Sequence, residues 1–156
     1  MSNLESIRNA GLIIGGIVGG TLAISNLFSQ EMNKASKKYS RRITDWDYLK
    51  KTLDEEKINQ KIPEEVEIKI LNFGEFPDYS PSQIHKKSEN FYEVYFSPID
   101  LTRDDVRHEL FHLKDGHLDK KFHKNKTINA IIANIYYNFY AEPKTAIYCW
   151  KNRKTN

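Results

Sequence analysis

The chain has 156 residues and a formal net charge of +3, with 24 Lys and Arg against 21 Asp and Glu. That length suits one small domain with an appendage, and the near balance of charge along the chain argues against nucleic-acid binding. Cys149 is the only cysteine, which excludes an internal disulfide; it reads as a small buried hydrophobe rather than a ligand or nucleophile.

No charged side chain stands between Arg8 and Glu31. The stretch from Gly11 to Phe28 is long enough for a transmembrane helix, which needs about 17–25 residues. Its five glycines would weaken a soluble helix but are tolerated in lipid. Residues 1–30 are therefore expected to be a single-pass membrane anchor. Two other readings compete: a cleaved signal peptide with Ala23 and Ser25 before the cut, and an apolar segment buried in the domain. Gly11, Gly15 and Gly19 share a helix face, which lets two such helices approach closely and form a homo-oligomer. Lys34, Lys37, Lys38, Arg41 and Arg42 follow the apolar stretch. Residues 31–43 thus read as a basic juxtamembrane linker that places the domain on the cytoplasmic side, close to membrane lipid.

Residues 44–156 are left for the folded domain. Thr44 to about Gln60 reads as a helix, with Thr44 and Asp47 spaced as a capping box. Tyr48, Leu49 and Leu53 give it a narrow apolar stripe, and Pro63 stops it. Val66 to Leu71 alternates apolar and polar residues, as a half-buried strand does. Phe76 to Ser82 is rich in turn formers. Phe91 to Phe96 is a second strand, ended by Ser97 and Pro98.

The next helix carries the chemistry. Residues 108–112 read His-Glu-Leu-Phe-His. At about 3.6 residues per turn, His108 and His112 fall one above the other on one face. Two neutral imidazoles at that spacing can grip one zinc ion, and Glu109 beside them can act on water as a general base. The helix is well punctuated. Thr102 and Asp105 form a capping box, Val106, Leu110 and Leu113 mark an apolar stripe, and Gly116 stands where a helix end favours glycine.

A catalytic zinc site usually takes a third protein ligand. Downstream of His112 the candidates are His117, Asp119, His123 and Glu142. His117 and Asp119 follow the helix end closely, and His123 lies in a Lys-rich stretch that reads as a solvated loop. Glu142 closes the long apolar segment from Thr127 to Tyr140, which reads as a buried core helix. A carboxylate in such a setting needs a partner.

Residues 108–117, His-Glu-Leu-Phe-His-Leu-Lys-Asp-Gly-His, resemble the active-site helix of the membrane-linked zinc peptidases that include the CAAX prenyl endopeptidases and related stress proteases. They are also similar to the sensor-protease domains of antibiotic-signalling membrane proteins. The likeness covers these ten residues and the general layout. Gly116 and His117 are out of register for a metzincin.

The resemblance implies a gluzincin-like site, with one Zn2+ per chain on His108, His112 and Glu142 and with Glu109 as the catalytic base. It implies an α+β fold of minimal zincin type: helix, small sheet, HExxH helix and third-ligand helix, behind the transmembrane anchor. It also implies a membrane-anchored metallopeptidase acting on a peptide or protein. The strand before the motif helix, Phe91 to Phe96, would then lie at the sheet edge and accept an extended substrate as a further strand.

Gluzincins commonly keep an acid shortly after the ligand glutamate to orient a histidine. Here Pro143, Lys144, Thr145 and Ala146 follow, so Asp105, Asp115 or a backbone carbonyl must do that work. Pro143 also disfavours helical geometry at Glu142, which puts the ligand at a kink or at the start of a second helix. His117, Tyr136, Tyr137 and Tyr140 are candidate oxyanion donors. The missing acid supports an alternative, a catalytically inactive zincin-fold regulator that binds zinc and peptide. A third reading is an anchored interaction module in which the motif is accidental.

Overall fold

The computed structural model describes residues 20, 23–25, 27–35, 37–71, 82–97 and 100–152. Most of the expected membrane anchor, including Gly11, Gly15 and Gly19, lies outside them. Among the described residues no helix is long and apolar enough to cross a membrane. The described part is α+β.

Helix α1 spans Trp46–Asn59. It starts later than the Thr44 spacing predicts, because Asp45 is the cap: its Oδ1 accepts the Tyr48 N–H at 2.8 Å. A carboxylate there satisfies an orphan donor and meets the positive end of the helix dipole. Leu49, Thr52, Leu53 and Glu56 form the buried face of α1.

Strands β1 (Glu67–Ile70), β2 (Gln83–Lys86) and β3 (Phe91–Tyr95) form one sheet in the order β1-β3-β2. β1 runs parallel to β3, with Ile68 opposite Tyr92. β2 runs antiparallel to β3, with Ile84 opposite Val94. This corrects the expectation that Phe91 to Phe96 is an edge strand: β3 is central, buried alternately along its length, and β1 and β2 are the two edges. The sequence of β2 hides it. Only Ile84 among its four residues is apolar and buried, too little for a period-two signal.

Helix α2 spans Arg103–Lys114 and carries the motif. Asp105 reaches back to the cap, accepting the Thr102 N–H and hydroxyl, each at 2.8 Å. Gly116 ends the helix with φ +65°, the left-handed conformation that costs glycine least. A 3-10 turn follows at His117–Asp119. α1, α2 and the sheet enclose the core, where Leu49, Val94, Val106 and Leu110 are fully buried.

Charge fixes how α1 meets α2. Glu56, 1% exposed, accepts from Arg103 Nε at 2.6 Å and from Arg107 Nη2 and Nε at 2.9 and 3.1 Å. Arg107, equally buried, also donates to Asp104 at 2.6 Å, and its carbonyl accepts from Gln60 at 3.0 Å. Each buried charge has its counter-charge and hydrogen bonds, as burial demands.

Helix α3 (Lys126–Tyr136) is capped by Asn125, whose side chain accepts from Thr127 and Ile128 N–H groups. A π-helical turn, Tyr137–Ala141, joins it to α4, Glu142–Asn152. The turn accommodates Pro143. In a regular helix the proline ring would clash with the Phe139 carbonyl. The wider turn instead bonds Glu142 N–H to the Tyr137 carbonyl, and Glu142 keeps helical angles of φ −62°, ψ −49°. The predicted kink is thus a π bulge.

The expected core helix is not buried. No residue of α3 is buried, and Ile128, Ile131 and Ile135 are 42%, 58% and 38% exposed. The core is already closed by α1, α2 and the sheet, so α3 projects beyond it. Only the next segment returns to the core, burying Ala141, Thr145, Ala146 and Cys149.

Candidate metal centre

Helical spacing on α2 brings His108 Nε2 within 3.1 Å of His112 Nε2. The π bulge and the start of α4 swing Glu142 across both rings. Its Oε2 is 3.2 Å from His108 Nε2, and its Oε1 is 3.3 Å from His112 Nε2. One ligand atom from each residue lies within 4.8 Å of the others, a grouping that could hold a metal ion. The two nitrogens and the nearest carboxylate oxygens stand 3.1–3.3 Å apart. Ligands at 2.0–2.1 Å around a tetrahedral ion are separated by roughly 3.4 Å, so the donor set fits such an ion in kind and in spacing.

The electrostatics of the metal-free site agree with this grouping. Burial opposes ionisation of Glu142, but hydrogen bonds from both imidazoles and their charges outweigh it and hold its carboxyl far below the usual range. Burial also opposes charge on His108, yet Cys149, Glu142 and Glu109 together push its pKa well up. Glu109 is 7% exposed, and burial raises its pKa despite the two histidines. A carboxylate raised in this way is a better proton acceptor than a solvated one.

The group that orients His112 is one the sequence suggested for other tasks. His117 Nδ1 lies 2.8 Å from His112 Nδ1, with His117 1% exposed. Burial and His112 lower the His117 pKa, so its ring is neutral and can accept the His112 N–H. His117 Nε2 stands 2.7 Å from Asp115 Oδ2, but off the ring's N–H direction, leaving Nε2 without a hydrogen bond. Lys144 Nζ then grips both Asp115 oxygens at 2.7 and 2.8 Å. A polar chain therefore runs from His112 on α2 through His117 and Asp115 to Lys144 on α4.

The remaining candidates fall elsewhere. Asp119 pairs with Lys86, and exposed His123 accepts the Asn125 N–H; neither is grouped with the motif histidines. Asp105 is spent on the helix cap and an ion pair with Lys37 at 2.7 Å. Of the suggested oxyanion donors, His117 faces His112, Tyr137 OH donates to the His117 carbonyl at 3.1 Å, and Tyr140 OH accepts from Lys144. Tyr136 OH is buried without a hydrogen-bond partner.

Two features of the site escaped the sequence reading. Cys149 is buried as expected, but its thiol also faces the motif helix, with Sγ 3.9 Å from the Asp104 carbonyl. The other is the Glu56–Arg107 lock beneath the motif helix. Its signal was present: Leu49, Leu53, Glu56 and Gln60 keep helical spacing on one face, so an acid on the core stripe already demanded a cation.

No family model, curated protein or solved structure matches the chain. The candidate centre therefore rests on its own geometry and chemistry.

Proposed function

We propose that the chain is a membrane-anchored, zinc-dependent metallopeptidase. The observation that carries this reading is the convergence of His108, His112 and Glu142 from two helices, with a buried Glu109 next to His108 on the motif helix. When bound, the metal supplies Lewis-acid polarisation of a peptide carbonyl and makes water acidic enough to lose a proton near neutral pH. Glu109 takes the proton from the attacking water and later delivers it to the leaving amine. His108, His112 and Glu142 would hold the metal, and His117 would orient His112.

The substrate docks along β2. This edge strand packs beside α2 and the 3-10 turn, and among the described residues it pairs only with β3. Its outer backbone groups can bind an extended peptide as a fourth strand.

Two substitutions test the reading. Glu109→Gln should retain one zinc per chain and lose peptide cleavage by about 10²-fold or more. Glu142→Ala should lose most of its zinc. Undiminished cleavage in Glu109→Gln would remove its role as base, and full zinc in Glu142→Ala would remove that ligand.

A further inference from the structure

We propose that α3 lies on a bilayer with anionic headgroups, its isoleucine face turned into the lipid. The inference rests on the membrane placement proposed above and not on the metal chemistry. Residues 127–141 contain no charged side chain. No residue of α3 is nevertheless fully buried against the protein, and Ile128, Ile131 and Ile135 share one exposed stripe.

Three contacts fix the path of the N-terminal helical residues beside α3. Ser25 Oγ donates to the Asn138 carbonyl at 2.6 Å, Lys37 pairs with Asp105 at 2.7 Å, and Cys149 Sγ lies 3.9 Å from the Asp104 carbonyl. The N-terminal helical residues therefore run alongside the α3–α4 rod and in the same direction. Ile24, Leu27 and Phe28 there are 70%, 60% and 47% exposed, and they end the uncharged stretch that begins after Arg8. The exposed apolar residues Ile24, Leu27 and Phe28 thus stand on a helical segment that runs beside the α3–α4 rod.

Charge selects the occupant. Lys120, Lys121, Lys124 and Lys126 are all exposed on the approach to α3. Basic residues flanking an apolar helical face suit anionic headgroups over acyl chains. A second copy seated on the face would bring like charges together. Glu142 is the first charged residue after the face and marks the end of the proposed lipid-facing segment.

The test uses the full chain with vesicles of phosphatidylcholine and phosphatidylglycerol at 7:3. A polarity-sensitive fluorophore is attached at Ile131→Cys, or at Ile58→Cys on α1 as a reference; Ile58 is 77% exposed, and native Cys149, 2% exposed, is shielded from reagent. The Ile131 label should shift to the blue and be quenched by a lipid-borne quencher, and the Ile58 label should do neither. On phosphatidylcholine alone the Ile131 quenching should fall.

A chain that sediments with vesicles while both labels read as aqueous would overturn the proposal and leave the anchor standing. A chain that does not sediment would overturn both. A lipid-free blue shift that grows with protein concentration would show a second copy on the face. Equal quenching on uncharged vesicles would remove the anionic headgroup. A quenched Ile131 label in a chain that holds no zinc would support this proposal and sink the peptidase reading alone.

Discussion

The ring of His117 offers the sharpest test of how the metal centre is held. It receives His112 Nδ1 at 2.8 Å inside the protein. His117→Phe keeps a ring to pack against Phe111, Tyr136 and Tyr140, whose centroids lie 5.9–6.2 Å away, but it removes the acceptor. The His112 N–H is then buried without a partner, which costs about 1–3 kcal/mol. Much of that cost falls on the state in which Nε2 binds metal, because only then must Nδ1 keep the proton. Zinc affinity should therefore drop about 10–100-fold. Competition with a chromophoric chelator reads this directly, and circular dichroism of the metal-free variant checks the fold. His117→Gln, whose amide oxygen can accept the same proton, should recover part of the loss. A folded His117→Phe chain that binds zinc within about threefold of wild type would refute the reasoning.

The lock beneath the motif helix should be as sensitive. Glu56→Ala strips the buried Arg107 of two bonds and leaves Asp104 as its remaining partner, so unfolding free energy should fall by about 3 kcal/mol; a urea midpoint shift worth under about 1 kcal/mol would show that the pair carries no such weight. The metal-free chain should also respond to pH through His108. Its folded pKa is raised, because Cys149, Glu142 and Glu109 outweigh its burial. That stabilisation is full below the unfolded value of about 6.5 and is lost as pH rises through the folded one. The metal-free melting temperature should thus fall on the alkaline side, and a rise there would contradict the assignment. Zinc-loaded protein, whose imidazoles already bind without a proton, should be nearly flat over the same range.

The parts of the fold that could be read early were those specified by local chemistry. The motif helix needed only its capping box, its apolar stripe and Gly116, all within one stretch of chain. What failed depended on partners remote in sequence. β3 looked like an edge because β2, with Ile84 as its one buried residue, gives no pattern of its own; once β2 pairs with it, β3 becomes central. α3 looked like core because isoleucines at helical spacing record that a face avoids water, not what covers it. Glu142 was legible as a partner of the two motif histidines, but the bulge that presents it was not, because Pro143 signals a break without saying that a widened turn can absorb it. His117 was noticed, yet its role depends on the 3-10 turn that folds it behind His112.

The missing acid after Glu142 has a structural answer. Lys144 stands in that stretch and grips Asp115 across the interface between α4 and α2. The cation sits on the helix that begins with Glu142 and the acid at the end of the motif helix. The consequence is mechanical. α2 is fixed to α1 by the buried Glu56–Arg107 pair and to α4 by Lys144–Asp115, so its histidines are held from both sides. Glu142 is two residues from Lys144, on the same rigid start of α4. These ties use no metal, and the metal-free rings and carboxylate already stand 3.1–3.3 Å apart. Metal binding therefore has little chain to order, and its free energy can go largely into affinity rather than folding, unlike small domains that fold only around zinc. Chelation should accordingly lower the melting temperature while leaving the far-ultraviolet spectrum nearly unchanged. A collapse of helicity on chelation would mean that the metal, and not these ion pairs, assembles the site.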